Sequence, residues 1–480
     1  MTANHDATLQ ALQDRRTDPR RPLLLKGAYV VSMDQEIGEQ QADVLVIGST
    51  IERVAPGLEN QVPPGTIVVD ATGCIITPGF VDSHVHAWEG QLRGSDPSAD
   101  FADYMSITHG GVAEYMTPQD IAIGQRITAA QAINGGVTTI VDNSHNSRTP
   151  EHSDAAIEAL NQSGIRAVHA VGSPVAGAAG THLPTDLIRL RDQYFSNTDQ
   201  LLTLRMFDIT PSVESWTFAN KHGFDVVAEM GMWVPELDTL FDTGLMHPGH
   251  TYNHCSGLTA QQWDRIADSG AAVNMVPRSD SHFGLGAFAP VLEAQRRNIP
   301  IGLSCDNEIS YGYDMFTEMR VMLTIQRGLS FQAEWAGQEN TPGRFGPQDV
   351  LQAATLGGAR NAGLHDRIGS IAPGKKADLV ILDLNHVHTK PFGAWIGTVV
   401  NWANVANVSA VFIDGQVRKW KGQLLDVDYD ALITEGESSR ERLWGALGAT
   451  TDDIRSGKGP LHGGRSTDER LSSIVASSNH

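Results

Sequence analysis

The sequence predicts an α/β protein centred on a (β/α)8 barrel, with clusters of short strands on either side of it in the chain. Three observations carry that reading. A long middle region alternates helical stretches such as DIAIGQRITAAQAINGG with short apolar runs. Those runs, VTTIVDN, IRAVHAVG, LTLRMFDI, FDVVAEM, TYNHC, AAVNMVP and PIGLSCDN, read as buried parallel strands. Several follow a glycine that stops the preceding helix, in NGGVTTI, QSGIRAV and DSGAAVN. About eight such repeats over some 290 residues fit a barrel, whose working residues stand at the C-terminal ends of its strands. A doubly wound open sheet is the rival, but nothing like GxGxxG follows the first strand.

Before the barrel come LLLKGAYVVSM, ADVLVIGSTIERVA and GTIVVDATGCIITPGF; after it come KADLVILDLNHV and SAVFIDGQVRKWKGQLL. Val and Ile runs punctuated by Gly, Pro and Asn at this spacing read as short strands. The lead, MTANHDATLQALQDRRTDPRR, is polar and lacks the apolar stretch of a secretory signal. The tail from about Asp426 is rich in Ser, Gly, Arg and Asp. It predicts one helix, TEGESSRERLWGALG, and otherwise a poorly ordered or docking arm.

At 480 residues and 41% hydrophobic, the chain has room for a barrel plus an accessory domain and enough apolar surface to bury both. Lys and Arg number 35 against 56 Asp and Glu, a formal charge of −21. No cationic surplus exists to neutralise nucleic-acid phosphates or to hold an anionic membrane surface, so the expected partner is a small molecule. No run approaches the roughly 18 apolar residues that a spanning helix needs. Three cysteines make no disulfide framework and suit a reducing, cytoplasmic location.

The strongest local signal is PGFVDSHVHAWEGQLRG. His84 and His86 alternate on a strand, so both imidazoles leave the same face, as a pair of metal ligands would. Asp82 stands beside them as a partner for a ligand. Asp306 ends the run IPIGLSCDNEIS, where a carboxylate binds a metal or accepts a proton; alone it reads rather as the N-cap of the next helix. His254 closes HTYNHC and, alone, reads as a core histidine.

Together these segments resemble the amidohydrolase superfamily, and most nearly its cytosine deaminase and triazine hydrolase group. The likeness extends from about Leu23 to Asp426 through TPGFVDSHVH, HTYNHCSGLTAQQWDRIADSGAAVNMVP, GSIAPGKKADLVILDL and VFIDGQVRKWKGQLL. It implies a TIM barrel over 78–365, a β-sandwich formed by 23–77 and 366–425, a polar lead at 1–22 and a polar tail at 426–480. It also implies a metal-dependent hydrolase cleaving a carbon–nitrogen bond of a small, aromatic or heterocyclic molecule through an activated water. His84, His86, His254 and Asp306 would hold one divalent ion, zinc first and iron or manganese as alternatives. Asp306 would be the general base, His254 would hold the water or developing oxyanion, and Glu229 in DVVAEM would shuttle the proton. A homodimer or larger homo-oligomer suits the family.

The sequence departs from the pattern at one place. The family's strand-five HxxE motif has a ligand histidine three residues before the glutamate, and here Val226 occupies it. LTLRMFDI carries no Lys or Glu to bridge two ions, so a mononuclear site is expected. Val226 keeps open a metal-free or non-hydrolytic enzyme, a lyase or isomerase on the same barrel. A catalytically dead binding protein is the third reading. His109, His145, His182, His247, His250 and His282 fall where barrel loops are expected. Of these His145 and His282, with Trp88, are the candidate substrate contacts. Trp88, Phe101, Tyr104 and Met105 occupy the long segment after the HxH pair, either covering a planar substrate or packing the loop. Strand alternation turns Cys255 and Cys305 away from the site, as spacers. No GxSxG elbow or P-loop occurs.

Overall fold

The structure is a computed structural model and describes residues 2–175, 182–286 and 288–456. Eight parallel strands form the barrel: β1 Phe80–Val85, β2 Val137–Ser144, β3 Arg166–Val171, β4 Leu202–Asp208, β5 Val226–Gly231, β6 Thr251–Ser256, β7 Ala272–Met275 and β8 Ile301–Leu303. Each pairs with the next in chain order. The ring closes between the first and last, where Val85 bridges Asp306, the His86 N–H donates to the Asp306 carbonyl at 2.7 Å and the Asp306 N–H donates to the His84 carbonyl at 3.0 Å. Closure therefore falls on the HxH pair and the aspartate, and it brings residues 222 positions apart in sequence side by side.

Local chemistry sets the helices between strands. Pro118–Asn134 begins with a Thr117–Asp120 capping box and Pro at its first turn. Pro150–Ser163 and Ala260–Ser269 stop at Gly164 (φ 69°) and Gly270 (φ 71°), a left-handed conformation that side chains disfavour. The short helix Gly358–Asn361 closes the floor of the barrel, where Ala359 and Ala362 join Val81, Val141, Val168 and Val227 in one apolar cluster.

Strands Leu23–Val31, Glu39–Ile47, Thr50–Ala55, Ile67–Asp70 and Cys74–Pro78 combine with Leu379–Asp383, Val408–Ile413, Gln416–Trp420 and Gln423–Leu424 in a second, nine-stranded sheet. The two chain ends meet where Cys74–Pro78 runs antiparallel to Leu379–Asp383. The expected sandwich is realised as one branched sheet: Leu23–Val31 pairs with Glu39–Ile47 on one edge and with both Ile67–Asp70 and Cys74–Pro78 on the other. Alternation divides it between two cores. Leu379 and Ile381 pack with Leu25, Val44 and Phe412 inside the sheet, whereas Val380 and Leu382 join the barrel core. Arg166 adds a buried clamp at the junction, donating to Asp378 at 2.7 and 3.0 Å and to Asp414 at 3.1 Å.

The polar lead folds as helix Thr2–Asp14, and Arg15 after it sends its guanidinium to the carbonyls of Gly48 and Gly415. The predicted tail helix is present as Tyr429–Ala446. It docks on Pro118–Asn134 through Ser439 to Asp120 at 2.7 Å and through Arg442 to the same carboxylate. The segment GGRSTDERLSSIVASSNH lies outside the described residues. None of the described helices is long and apolar enough to cross a membrane.

Candidate metal centre

Five side chains converge at the C-terminal end of the barrel: His84 from β1 and His86 just after it, Glu229 from β5, His254 from β6 and Asp306 just after β8. The strands do not deliver them by regular pairing alone. The β1–β2 register shifts between Asp82 and Val85, and the β5–β6 register shifts after Met230. His254 (φ 61°) and Asp306 (φ 69°) adopt left-handed backbone, a conformation that costs roughly 1–3 kcal/mol each and concentrates at functional sites. Cys255 and Cys305, the neighbouring spacers, are fully buried in the apolar core as alternation predicts.

His84 Nε2 lies 3.0 Å from Asp306 Oδ1 and 3.6 Å from Glu229 Oε1. His86 Nε2 lies 3.4 Å from Asp306 Oδ1, and His254 Nε2 lies 3.2 Å from Glu229 Oε2. The other nitrogen of each ring is tied. His86 Nδ1 donates to the Asn143 carbonyl at 3.1 Å, His254 Nδ1 faces Asp280 Oδ1 at 2.8 Å, and His84 Nδ1 abuts the Asn143 side-chain amide. For His86 and His254, whose Nδ1 faces an oxygen acceptor, this turns the lone pair of Nε2 to the centre, which is how a protein prepares imidazole for a metal. His84, His86 and Asp306 place one ligand atom each within 4.8 Å of one another, and so do His84, Glu229 and His254. Three converging imidazoles with two carboxylates fit a divalent ion of the zinc, iron or manganese type.

The same proximity shapes the charges. Burial pushes the Glu229 carboxyl up, but the neighbouring His84 and His254 outweigh it and hold the group down at about 2. Asp306 is likewise held well below the usual carboxylate range by the hydrogen bond and charge of His84, against its burial. Burial lowers His254 too, yet Glu229 and Asp280 raise it well above an ordinary histidine. To bind a metal ion, Nε2 would give up that proton.

Above the centre stands a wall of rings. His145 packs edge-on at 4.6 Å from His86 and 5.4 Å from Trp88 and tilted at 5.3 Å from Phe207, measured between ring centroids, and its Nε2 meets His109 Nδ1 at 3.3 Å. Burial and the neighbouring imidazoles hold His109 down at about 3 and His145 well below an ordinary histidine, so this wall is uncharged at neutral pH. Tyr104 packs on His109 and donates to Glu89 Oε1 at 2.9 Å; Glu89 Oε2 and Trp88 Nε1 are buried without a hydrogen-bond partner. Phe101 and Met105 pack against the cluster that contains Trp88 and Tyr104, so the segment after the HxH pair both roofs the centre and packs itself. Phe207 also lines a cavity of about 190 Å³ at the ends of β3 and β4, with Ser173, Asp208 and Thr210.

Three expectations are corrected. His282 is exposed on the outer side of helix Pro277–Phe283, against Phe283 and Tyr311, and does not reach the centre. Asp82 supports backbone rather than a ring: its carboxylate accepts the N–H groups of His84 (3.2 Å) and Cys305 (3.3 Å) and so ties β1 to the end of β8. His247 and His250 precede β6 and lie at the opposite end of the barrel. Sequence reasoning missed Asn143, Ser279, Asp280 and Glu89. Helix Pro277–Phe283, immediately after β7, supplies two of them, since Ser279 Oγ donates to Asp306 Oδ2 and Asp280 holds His254. Their position at or just after the C-terminal ends of β1, β2 and β7 was the available signal.

The sequence pattern of the amidohydrolase family matches residues 75–208 and 222–418. The chain belongs to the amidohydrolase family. It is a hydrolase of carbon–nitrogen bonds other than peptide bonds, of a metal-dependent family. Among curated relatives, the 5-methylthioadenosine/S-adenosylhomocysteine deaminase of Desulforudis audaxviator (strain MP104C) is 25% identical over 445 residues, covering 88% of this chain and 99% of the relative. The deaminase of that name from Nitratidesulfovibrio vulgaris is 26% identical over 455 residues, covering 89% of this chain and 98% of the relative. Among solved structures, an adenosine deaminase from Xanthomonas campestris with bound zinc superposes with TM-score 0.77 at 23% identity, covering 88% of this chain and 98% of that one. A zinc complex of atrazine chlorohydrolase from Arthrobacter aurescens TC1 gives TM-score 0.75 at 18% identity, covering 87% and 99%. Both structures share the fold.

Proposed function

We propose that this amidohydrolase is a mononuclear aminohydrolase that replaces an amino group on a flat nitrogen heterocycle by oxygen from water. The observation that carries the reading is the convergence of three Nδ1-tethered imidazoles and two ionised carboxylates beneath an uncharged wall of rings. The names of the curated relatives favour an adenine-type ring. The cavity beside Phe207 is the proposed space for the rest of the molecule.

His84, His86, His254 and Asp306 would hold the ion, with zinc the proposed metal. When bound, a divalent ion at such a site brings the pKa of a water ligand down toward neutrality. Asp306, held ionised and steadied by Ser279 on Oδ2, accepts the proton from water as its oxygen adds to the ring carbon. Glu229, whose Oε2 stands 3.2 Å from His254 Nε2, passes the two water protons on, one to the ring nitrogen of the attacked C=N bond and one to the departing nitrogen. The carbon–nitrogen bond then breaks, ammonia leaves and the carbonyl form remains. His145, Trp88 and Phe207 offer aromatic faces against which a planar ring stacks, and Glu89 Oε2 offers an unused hydrogen-bonding position.

The same reading places the enzyme in the cytoplasm, in keeping with three unpaired cysteines, and joins it to copies of itself through exposed apolar side chains such as Trp335 and Trp402. Asp306→Asn tests the mechanism. Turnover of an aminated heterocycle should fall by about 10³-fold or more with the fold retained, and wild-type product formed in ¹⁸O-labelled water should carry the label. Undiminished turnover in the variant, or unlabelled product, would refute it.

A further inference from the structure

Strand β5 has no imidazole to offer the centre, and its geometry shows what stands there instead. Val226 faces outward into the apolar layer with Ala228 and Met230, away from the barrel interior. The inward positions are Val227, in the apolar floor, and Glu229. Among the described residues, the ion-pair partners of Glu229 are His84 and His254 alone. The residue is 7% exposed and its carboxylate is aimed between those two rings. A chain of neutral groups holds it there: Asn253 Nδ2 donates to Glu229 Oε1 at 3.3 Å, Asn274 Nδ2 to Asn253 Oδ1 at 3.4 Å, and Ser83 Oγ to Asn274 Oδ1 at 2.6 Å.

We propose that Glu229 is itself a ligand of the metal ion, so that three imidazoles and two carboxylates hold it in place of the family's strand-five histidine. The inference rests on the metal-dependent reading of this site. His84 Nε2 stands 3.0 Å from Asp306 Oδ1 and 3.6 Å from Glu229 Oε1, so an ion bound at that nitrogen would have an oxygen of each carboxylate beside it. Charge favours the arrangement. The five residues are at most 7% exposed, and an uncompensated charge in such a site is costly. Two carboxylates neutralise a divalent ion, whereas four imidazoles and one carboxylate would leave a positive charge buried. A glutamate binding through one oxygen keeps the other, which faces His254, for the proton it carries in the reaction.

The test is metal affinity, read by chelator competition with zinc on the full-length protein. Glu229→Gln should release the ion about tenfold or more readily than wild type, comparable to His86→Ala. Equal affinity in Glu229→Gln and wild type would overturn the inference and leave Glu229 as a proton carrier only. A crystal structure of the zinc-loaded wild-type protein decides the matter without any variant. A Glu229 oxygen at about 2.0–2.2 Å from the ion supports the proposal, and a carboxylate outside that shell overturns it. A wild-type protein that takes up no ion under any loading would overturn both this inference and the metal-dependent reading beneath it.

Discussion

Each imidazole of the centre is held at Nδ1, which leaves Nε2 toward the converging carboxylates, and the residues doing the holding lie on different elements. Asn143 at the end of β2 serves both His84 and His86, while Asp280 serves His254. Removing such a partner typically costs 10–100-fold in metal affinity because the ring loses its tautomer and orientation. Asp280→Ala should therefore weaken zinc binding by about that factor in chelator competition, with Asp280→Asn closer to wild type because its carbonyl still accepts from Nδ1. Unchanged affinity in Asp280→Ala would show that His254 is oriented by something else. At this scale the sequence was legible where spacing speaks. His84 and His86 alternate within one strand, and Asp306 and His254 end apolar runs. Asp280 was illegible because its partner is 26 residues away and the helix that carries it, Pro277–Phe283, is only seven residues long. Glu229 was legible as a residue, and alternation on β5 turns Val226 outward when Glu229 faces in, but its closeness to His84 depends on barrel closure, which no local pattern encodes.

At the scale of elements, apolar runs bounded by glycine stops located β2 to β8, and the HxH segment located β1. The barrel's contacts with its surroundings were less visible, because they are made by polar side chains that look like surface residues in sequence. Lys419 is an example. It lies on strand Gln416–Trp420 with 2% exposure, and its Nζ donates at 2.7 Å to the carbonyl of Asn134, the last residue of helix Pro118–Asn134. A cation there complements the helix C-terminus, but burial lowers its pKa from 10.5 to about 8. Between those values the folded protein binds fewer protons than the unfolded chain, so this group makes stability rise with pH across the window and contributes its full penalty below about pH 8. Denaturant melts of wild type and Lys419→Met at intervals from pH 7 to 11 should show the rise in wild type and its loss in the variant. Parallel pH profiles would contradict the account of Lys419.

At the scale of the whole molecule, the accessory sheet and the barrel are one construction. Both chain ends supply strands, Cys74–Pro78 runs almost directly into β1, and the Arg166–Asp378–Asp414 clamp fixes the second sheet to the start of β3. The two strand clusters were plain in sequence. Their union in one branched sheet was not, because pairing across some 300 residues leaves no local trace. The tail helix Tyr429–Ala446 is a further long-range surprise. Leu443 and Trp444 join Trp88, Tyr104 and Phe283 in the cluster that roofs the centre, so the chain's far end helps to support its active face. All of this scaffold serves one claim, that the mouth of the barrel holds a single catalytic metal ion. Elemental analysis of zinc-loaded, dialysed wild-type protein beside His84→Ala tests it most directly. The account predicts about one ion per chain in wild type and a near-complete loss in the variant; a folded wild-type protein retaining none, or a variant retaining as much, would contradict it.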